Sequence, residues 1–301
     1  RTANSNTLVG TSAGNLITTG AGNVAVGSGA SDALTTGEDN TCIGTGSLGA
    51  LTVGVGNASV GYSALAAITA GESNNVAVGK YAMGSVNEGG SDTADSNVAV
   101  GRDALLGGAA TITGNVAIGA YALDATDDSD QTGTVAIGYQ ALTALTSGGQ
   151  NIAIGYQALD TVTNGASNVA IGHQAMDSTL VNPDDNIAIG YNALGGTWTG
   201  TTSIQNVAIG SNTLDGAMNG ANNNVGVGHY ALSSITTGDN NVAVGSYAGD
   251  ALTTNGNNTI IGYRAGSALD QSANVIIGTD AALALTTGVY NVIIGREALL
   301  A

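Results

Sequence analysis

Few side chains in this sequence could perform catalysis. The 301 residues include two histidines and one cysteine. His173 and His229 follow equivalent glycines three repeats apart, about 15 Å at the spacing of stacked strands, so they cannot share one metal ion. Cys42 stands where most repeats have alanine, so we expect a buried small side chain. The sequence therefore predicts a protein that is not an enzyme and has no catalytic residues, cofactor or metal.

Charged residues narrow the choice of partners. Asp124, Asp127, Asp128 and Asp130 could offer oxygen atoms to a calcium ion, but they lack the glycine-bearing spacing of known calcium loops, so we interpret them as a solvated loop. The net charge of −17 argues against a nucleic-acid partner, because phosphate binding requires a basic surface. No apolar run reaches the roughly 18 residues of a membrane span, so we expect no membrane insertion.

Aromatic residues supply the best candidates for binding. Nine of the ten tyrosines follow a repeated glycine by one or two residues, among them Tyr139, Tyr156 and Tyr191. The same positions hold both histidines, so one edge of the molecule could stack on sugar rings or on a neighbouring chain; mutual stacking of the rings is the simpler interpretation. Trp198 is the only tryptophan and lies in a longer interval. It is a candidate contact residue because recognition residues concentrate in loops.

These residues are positioned by a repeat of about 17 residues. A block of Asn, an aliphatic or similar residue, a small residue, Val or Ile, and Gly runs from NTLVG at 6–10 to NVIIG at 291–295. We call this block the motif and its last residue the motif glycine. A fixed short period is typical of a solenoid. We expect an all-β, parallel β-solenoid of about 17 coils, a single domain over residues 1–301 with uncapped ends and two short strands per coil.

Each position of the motif has a predicted role. The asparagines should form a ladder of amide hydrogen bonds between coils. The two Val or Ile positions lie on one face of the strand, and β-branched side chains pack well, so we expect them to line the interior. The small residue between them should then face outward, forming an apolar stripe that packs against another chain. The ladder includes Asn97, Asn115, Asn151, Asn168, Asn186 and Asn206, and the predicted oligomer face is Ala99, Ala117, Ala136, Ala153, Ala170, Ala188 and Ala208.

The repeats resemble those of a known group of fibrous proteins. NIAIGYQAL at 151–159, NVAIGHQAM at 168–176 and the ALTTG segments at 33–37 and 284–288 are similar to the head repeats of trimeric autotransporter adhesins and the shaft repeats of phage tail fibres. The resemblance covers essentially the whole chain. It implies a left-handed parallel β-roll, three chains side by side, and an adhesive or spacer role that is extracellular, at a cell surface or on a virion.

Several functional hypotheses follow. The 6 residues after Gly295 and the first 10 residues together match the 16-residue interval from Gly262 to Gly278, so copies could stack head to tail; a segment of a longer fibre would explain the same spacing. The leading hypothesis is a non-enzymatic structural fibre subunit that associates laterally through its alanine face and stacks axially. One alternative is a receptor- or glycan-binding adhesin head or tail-fibre segment, with Trp198 and the tyrosine edge as contacts. A remote alternative is an ice-binding solenoid, suggested by paired threonines whose interrupted spacing argues against it.

Overall fold

The computed structural model describes residues 5–69, 71–86, 94–107, 111–125, 131–178, 182–198 and 200–300. Over these residues the chain is all-β, a parallel β-solenoid with a repeat of about 17 residues and no helix. The predicted fold class is therefore confirmed. The chain divides into two compact units, Arg1–Asn151 and Ile152–Ala301.

The first unit contains eight stacked motif strands. Its strands are β1 (Thr7–Val9), β2 (Val24–Val26), β3 (Thr41–Ile43), β4 (Ala58–Val60), β5 (Val76–Val78), β6 (Ala94–Asp95), β7 (Val98–Val100), β8 (Ile112–Thr113), β9 (Val116–Ile118), β10 (Gln131–Thr132) and β11 (Val135–Ile137). The motif strands pair in parallel in the order β1-β2-β3-β4-β5-β7-β9-β11. Equivalent motif residues face each other in every pair, so like side chains stack on like. A second parallel sheet has the order β6-β8-β10.

The second unit contains nine motif strands and continues the same pattern. They are β12 (Ile152–Ile154), β13 (Val169–Ile171), β14 (Ile187–Ile189), β15 (Val207–Ile209), β16 (Val225–Val227), β17 (Val242–Val244), β18 (Thr259–Ile261), β19 (Val275–Ile277) and β20 (Val292–Ile294). Consecutive strands pair in parallel in sequence order. The register of the motif strands is the same throughout the unit.

The predicted second strand in every coil is wrong for most of the described coils. After each motif glycine the chain forms tight turns, with φ of 53° at Gln157 and 55° at Leu159. Successive residues alternate between right-handed and left-handed backbone conformations. The segment is therefore too tightly turned to form a strand. A second strand forms instead just before the motif, and among the described residues only β6, β8 and β10 do so.

The predicted facing of the motif residues is also wrong. In the motif strands after β1, the central residue points inward and is buried, while the flanking residues are at least partly exposed, as in β13. Ala99, Ala117, Ala136, Ala153, Ala170, Ala188 and Ala208 are all 0 % exposed. They belong to the core of their own coil and cannot form an oligomer face. A coil of about 17 residues encloses a narrow interior, so the strand can contribute only a methyl group where Leu or Met packs from the opposite wall.

Exceptions to alanine at this position support the inward facing. Where the central residue is Ile260, the fourth residue after the motif glycine is Gly266 instead of Leu or Met. A Cβ on Gly266 would lie 3.1 Å from Ile276 Cδ1 and 3.5 Å from Ile260 Cδ1. Leu8 and Gly14 form an equivalent pair in the first unit, where the Leu8 side chain occupies the space beside the glycine. In these two coils, a larger side chain on the strand is compensated by a smaller residue in the turn, because both sides share one interior.

The motif glycines permit the close stacking of the coils. Gly155 has φ of +144°, and a Cβ there would collide with the carbonyl oxygen of Gly172 in the next coil. No other residue type can occupy this position without moving a neighbouring backbone. The spacing between coils therefore depends on the recurrence of glycine.

Candidate functional site

The predicted asparagine ladder is present. Asn206 is buried and its Nδ2 donates to the Ala221 carbonyl oxygen at 2.9 Å. Its Oδ1 accepts from the backbone N–H of Asn224 at 3.0 Å and from Asn224 Nδ2 at 3.2 Å. Asn97, Asn115, Asn168 and Asn186 make corresponding bonds to the following coil, and Asn151 is buried at the equivalent position. Each amide satisfies buried backbone groups of a turn, so the ladder has a structural role.

Thr134 interrupts the ladder, but its backbone N–H keeps one of the hydrogen bonds to the preceding asparagine. The Thr134 N–H still donates to Asn115 Oδ1 at 2.9 Å. The buried Thr134 Oγ1 has no hydrogen-bond partner, and neither do the amide atoms of the adjacent buried Gln131. The coil therefore tolerates threonine at the cost of unsatisfied polar atoms.

The outward face of the motif strands is apolar. We call this surface, formed by the Val, Ile and occasional Thr or Ala residues on either side of the central small residue, the Val/Ile face. Side chains on it are 38 % exposed at Val244, 38 % at Ile261 and 39 % at Ile209 in the second unit. The first unit presents the same face, with Ile43 at 40 % and Ile118 at 38 %. Each unit therefore exposes a flat strip of β-branched side chains.

The tyrosines form an aromatic edge in which most rings cover one another. Tyr156 and His173 stack at 4.9 Å between ring centroids, and His173 and Tyr191 stack at 5.4 Å. Tyr139 contacts Tyr121 edge to face at 6.1 Å. Tyr139, Tyr156 and Tyr191 are about half exposed, but contacts within the edge already occupy ring surface. Mutual stacking, the simpler of the two interpretations, is confirmed for these rings.

One tyrosine on this edge lies in a groove and is not covered by another ring. The groove is open to solvent, is lined by Tyr247, Asp250, Tyr263, Arg264 and Ser267, and has a volume of about 390 Å³. Tyr263 is 49 % exposed and makes no ring or cation contact with any residue that the structure describes. We call this site the Tyr263 groove. Sequence reasoning grouped Tyr263 with the other tyrosines and did not single it out.

Trp198 is not a surface contact residue. It is 0 % exposed, and its indole Nε1 has no hydrogen-bond partner. Its large apolar ring is stabilised by burial, so the longer chain segment before Gly210 brings the ring into the core. The prediction is wrong because a longer interval can add residues to the core as well as to a protruding loop.

A set of half-buried aspartates stands five residues after the motif glycines. Burial raises the pKa of Asp124, Asp160 and Asp215 to about 6. At Asp160 the nearby Asp177 carboxylate raises the pKa further. Asp127, Asp128 and Asp130 of the predicted acidic loop lie outside the described residues. Within the described part of the chain, no three His, Cys, Asp or Glu residues are grouped to hold a metal ion.

Cys42 is buried, as its position in the repeat predicted. Desolvation raises the pKa of its thiol to about 11. Because the thiolate is the reactive form, this cysteine is inert at neutral pH.

Comparisons with known proteins give no relative: no family matches this chain, and no curated protein or solved structure matches it. Among the described residues, no helix is both long and apolar enough to span a membrane.

Proposed function

We propose that this chain is a non-enzymatic structural subunit of a fibre, and that copies associate side by side through the Val/Ile face. The observation that carries the proposal is the exposure of β-branched side chains on successive motif strands. Val244 and Ile261 are each 38 % exposed, and the pattern of partial exposure repeats through both units. Apolar side chains in such an arrangement are stabilised when another surface removes them from water.

The size of this face supports an interaction. A three-residue strand is about 10 Å long and the coils repeat about every 4.8 Å, so the nine strands of the second unit present roughly 400 Å² of flat sheet. Apolar patches of a few hundred Å² on soluble proteins are commonly interaction sites. The first unit contributes a further face of the same kind.

The repeat favours another copy of the same chain as the partner. The Val/Ile face carries two rows of side chains at a fixed axial spacing, and only a surface with the same spacing can stay in register over many coils. A second copy has that spacing by construction, and lateral pairing between copies is then self-complementary. The resemblance to trimeric adhesin heads and tail-fibre shafts favours three copies and a location outside the cell or on a virion. Head-to-tail stacking stays a prediction from the repeat period.

Charge placed on the Val/Ile face tests the proposal. Ile209→Lys combined with Val244→Lys adds two cations to partly exposed positions, so the solenoid should fold while side-by-side association is lost. Sedimentation velocity should show an oligomer for the original chain and a monomer for this variant, with unchanged β-sheet circular dichroism.

The matched control adds the same charge elsewhere. Thr254 and Thr279 are exposed and lie off the Val/Ile face, so Thr254→Lys with Thr279→Lys should keep the oligomer. An original chain that sediments as a monomer at every concentration would contradict the proposal. An oligomer that survives the face substitutions would contradict it as well.

A further inference from the structure

We propose that the Tyr263 groove binds a neutral pyranose residue of a glycan. This inference goes beyond the structural role and does not depend on lateral association. It rests on the geometry of two adjacent coils in the second unit, which supply Tyr247 and Asp250 from one turn and Tyr263, Arg264 and Ser267 from the next. The open groove has a volume of about 390 Å³, near the lower end of the roughly 300–1,000 Å³ of small-molecule sites in proteins, which fits a single sugar ring held on one face.

The Tyr263 ring is available because its neighbours in the stack are small. Residues 246, 263 and 279 each follow a motif glycine directly, and they are Ser246, Tyr263 and Thr279. Backbone bonds fix this order: the Arg264 N–H donates to the Ser246 carbonyl at 2.9 Å, and the Asp280 N–H donates to the Tyr263 carbonyl at 2.9 Å. Neither Ser246 nor Thr279 can stack on the ring, in contrast to His173 between Tyr156 and Tyr191. The apolar C–H face of a pyranose is attracted to such an aromatic face.

The remaining groups complement sugar hydroxyls. Asp250 lines the groove, and its carboxyl group can accept from a hydroxyl. The Arg264 Nη1 atom lies 3.7 Å from Asp280 Oδ1, a loose ion pair, and the Arg264 side chain is 45 % exposed. The guanidinium and the Ser267 hydroxyl can therefore donate to sugar oxygens.

Charge in and around the groove favours a neutral ligand. An anionic ligand would meet Asp250, the nearby Asp280 and a chain of net charge −17. A cationic ligand would meet the Arg264 guanidinium beside the same ring. A neutral polyol satisfies both the carboxylate and the guanidinium, since each hydroxyl can donate and accept.

Binding can be tested with the full chain and immobilised neutral oligosaccharides that end in galactose, glucose, mannose or N-acetylglucosamine. Saturation-transfer NMR with the methyl pyranoside of the best binder should show contact with the ring face of the sugar. Tyr263→Ala should weaken binding by roughly 2- to 12-fold, the effect of losing one stacking contact. Asp250→Ala should also weaken binding because the side-chain acceptor is lost.

A substitution that covers the ring gives the sharpest contrast. Ser246→Tyr should stack on Tyr263 as other neighbouring rings on this edge do, and it should abolish sugar binding without loss of the fold. Ser211→Tyr is the matched control, because residue 211 is the equivalent position beside Tyr191 and lies outside the groove; binding should persist.

Three outcomes would overturn the inference: no neutral sugar binds, binding survives both Ser246→Tyr and Tyr263→Ala, or tetramethylammonium competes for the groove where methyl pyranosides do not. Sedimentation of the same samples separates this inference from the fibre proposal. A chain that assembles and binds no sugar contradicts only the glycan site.

Discussion

At the scale of single residues, the asparagine ladder is the most specific stabilising device in the chain. Asn206→Ala removes the donor to the Ala221 carbonyl and the acceptor for Asn224, and it leaves those buried groups without partners. We expect a loss of about 3 kcal/mol in the free energy of unfolding, since each buried group left unsatisfied costs roughly 1–3 kcal/mol. Urea titration followed by circular dichroism measures the change.

Thr134→Val is the control for this prediction. It sits at the equivalent ladder position, but its Oγ1 has no partner to lose, so the free energy of unfolding should stay within about 0.5 kcal/mol or rise. Equal losses for Asn206→Ala and Thr134→Val would show that the amide bonds do not carry the effect.

The residue types of the candidate site could be predicted from the sequence, but their surroundings were predicted less well. The positions of the tyrosines relative to the motif glycines indicated one shared edge, and the structure contains it. Trp198 was misassigned because a longer interval does not determine whether a side chain points into or out of the coil. The Tyr263 groove depends on Ser246 and Thr279, which can be aligned from the repeat register alone.

At the scale of the coil, the period, the motif strands and the glycine turns followed from the sequence because each is set by local geometry. The facing of the strand did not follow, since β-branched residues are compatible with either side of a sheet. The deciding signal is a compensating change of volume across the interior. Most coils combine a central alanine with Leu or Met in the turn, whereas two coils combine Ile260 with Gly266 and Ile276 with Ala282. Only residues that share one core compensate in this way.

This exchange predicts strong coupling between Ile276 and Ala282, which are both 0 % exposed. Ile276→Ala should lower the free energy of unfolding by about 2–4 kcal/mol through cavity formation. Ala282→Leu alone should cost about 1–3 kcal/mol through overpacking. The double variant restores the common alanine–leucine pair, so it should be more stable than the sum of the two effects by at least about 1 kcal/mol. Urea titrations of the four proteins complete the cycle.

A distant pair provides the reference for the cycle. Leu214→Ala also creates a cavity, but it lies several coils from Ala282, so its effect should add to that of Ala282→Leu within about 0.5 kcal/mol. Additivity for Ile276 and Ala282 would mean that the two side chains do not share an interior, and the inward facing of the central strand residue would be wrong.

At the scale of the whole molecule, acidic groups link stability to pH. Asp124, Asp160 and Asp215 have pKa values of about 6 in the folded chain because burial disfavours the carboxylate, compared with about 3.9 in an unfolded chain. The folded state therefore binds protons more tightly than the unfolded state. The stabilisation is fully present below about pH 4 and is lost as the pH rises through about 6. Burial also raises the pKa of Asp177 and Asp250, which adds to the same trend.

We expect the free energy of unfolding to fall between about pH 4 and about pH 7, by roughly 1 kcal/mol or less for each of the three groups because they are partly exposed and screened by water. Asp160→Asn with Asp215→Asn should flatten this dependence, since an amide does not titrate.

Asp185→Asn with Glu38→Gln removes the same charge from exposed positions, so this control should keep the slope and report only the general reduction in net charge. All titrations need one protein concentration, because association would also change apparent stability. Two results would contradict this prediction: a free energy of unfolding that is constant or rises across this pH range, or a slope that Asp160→Asn with Asp215→Asn leaves unchanged. Either result would show that these carboxyl groups are as well solvated in the solenoid as in the unfolded chain.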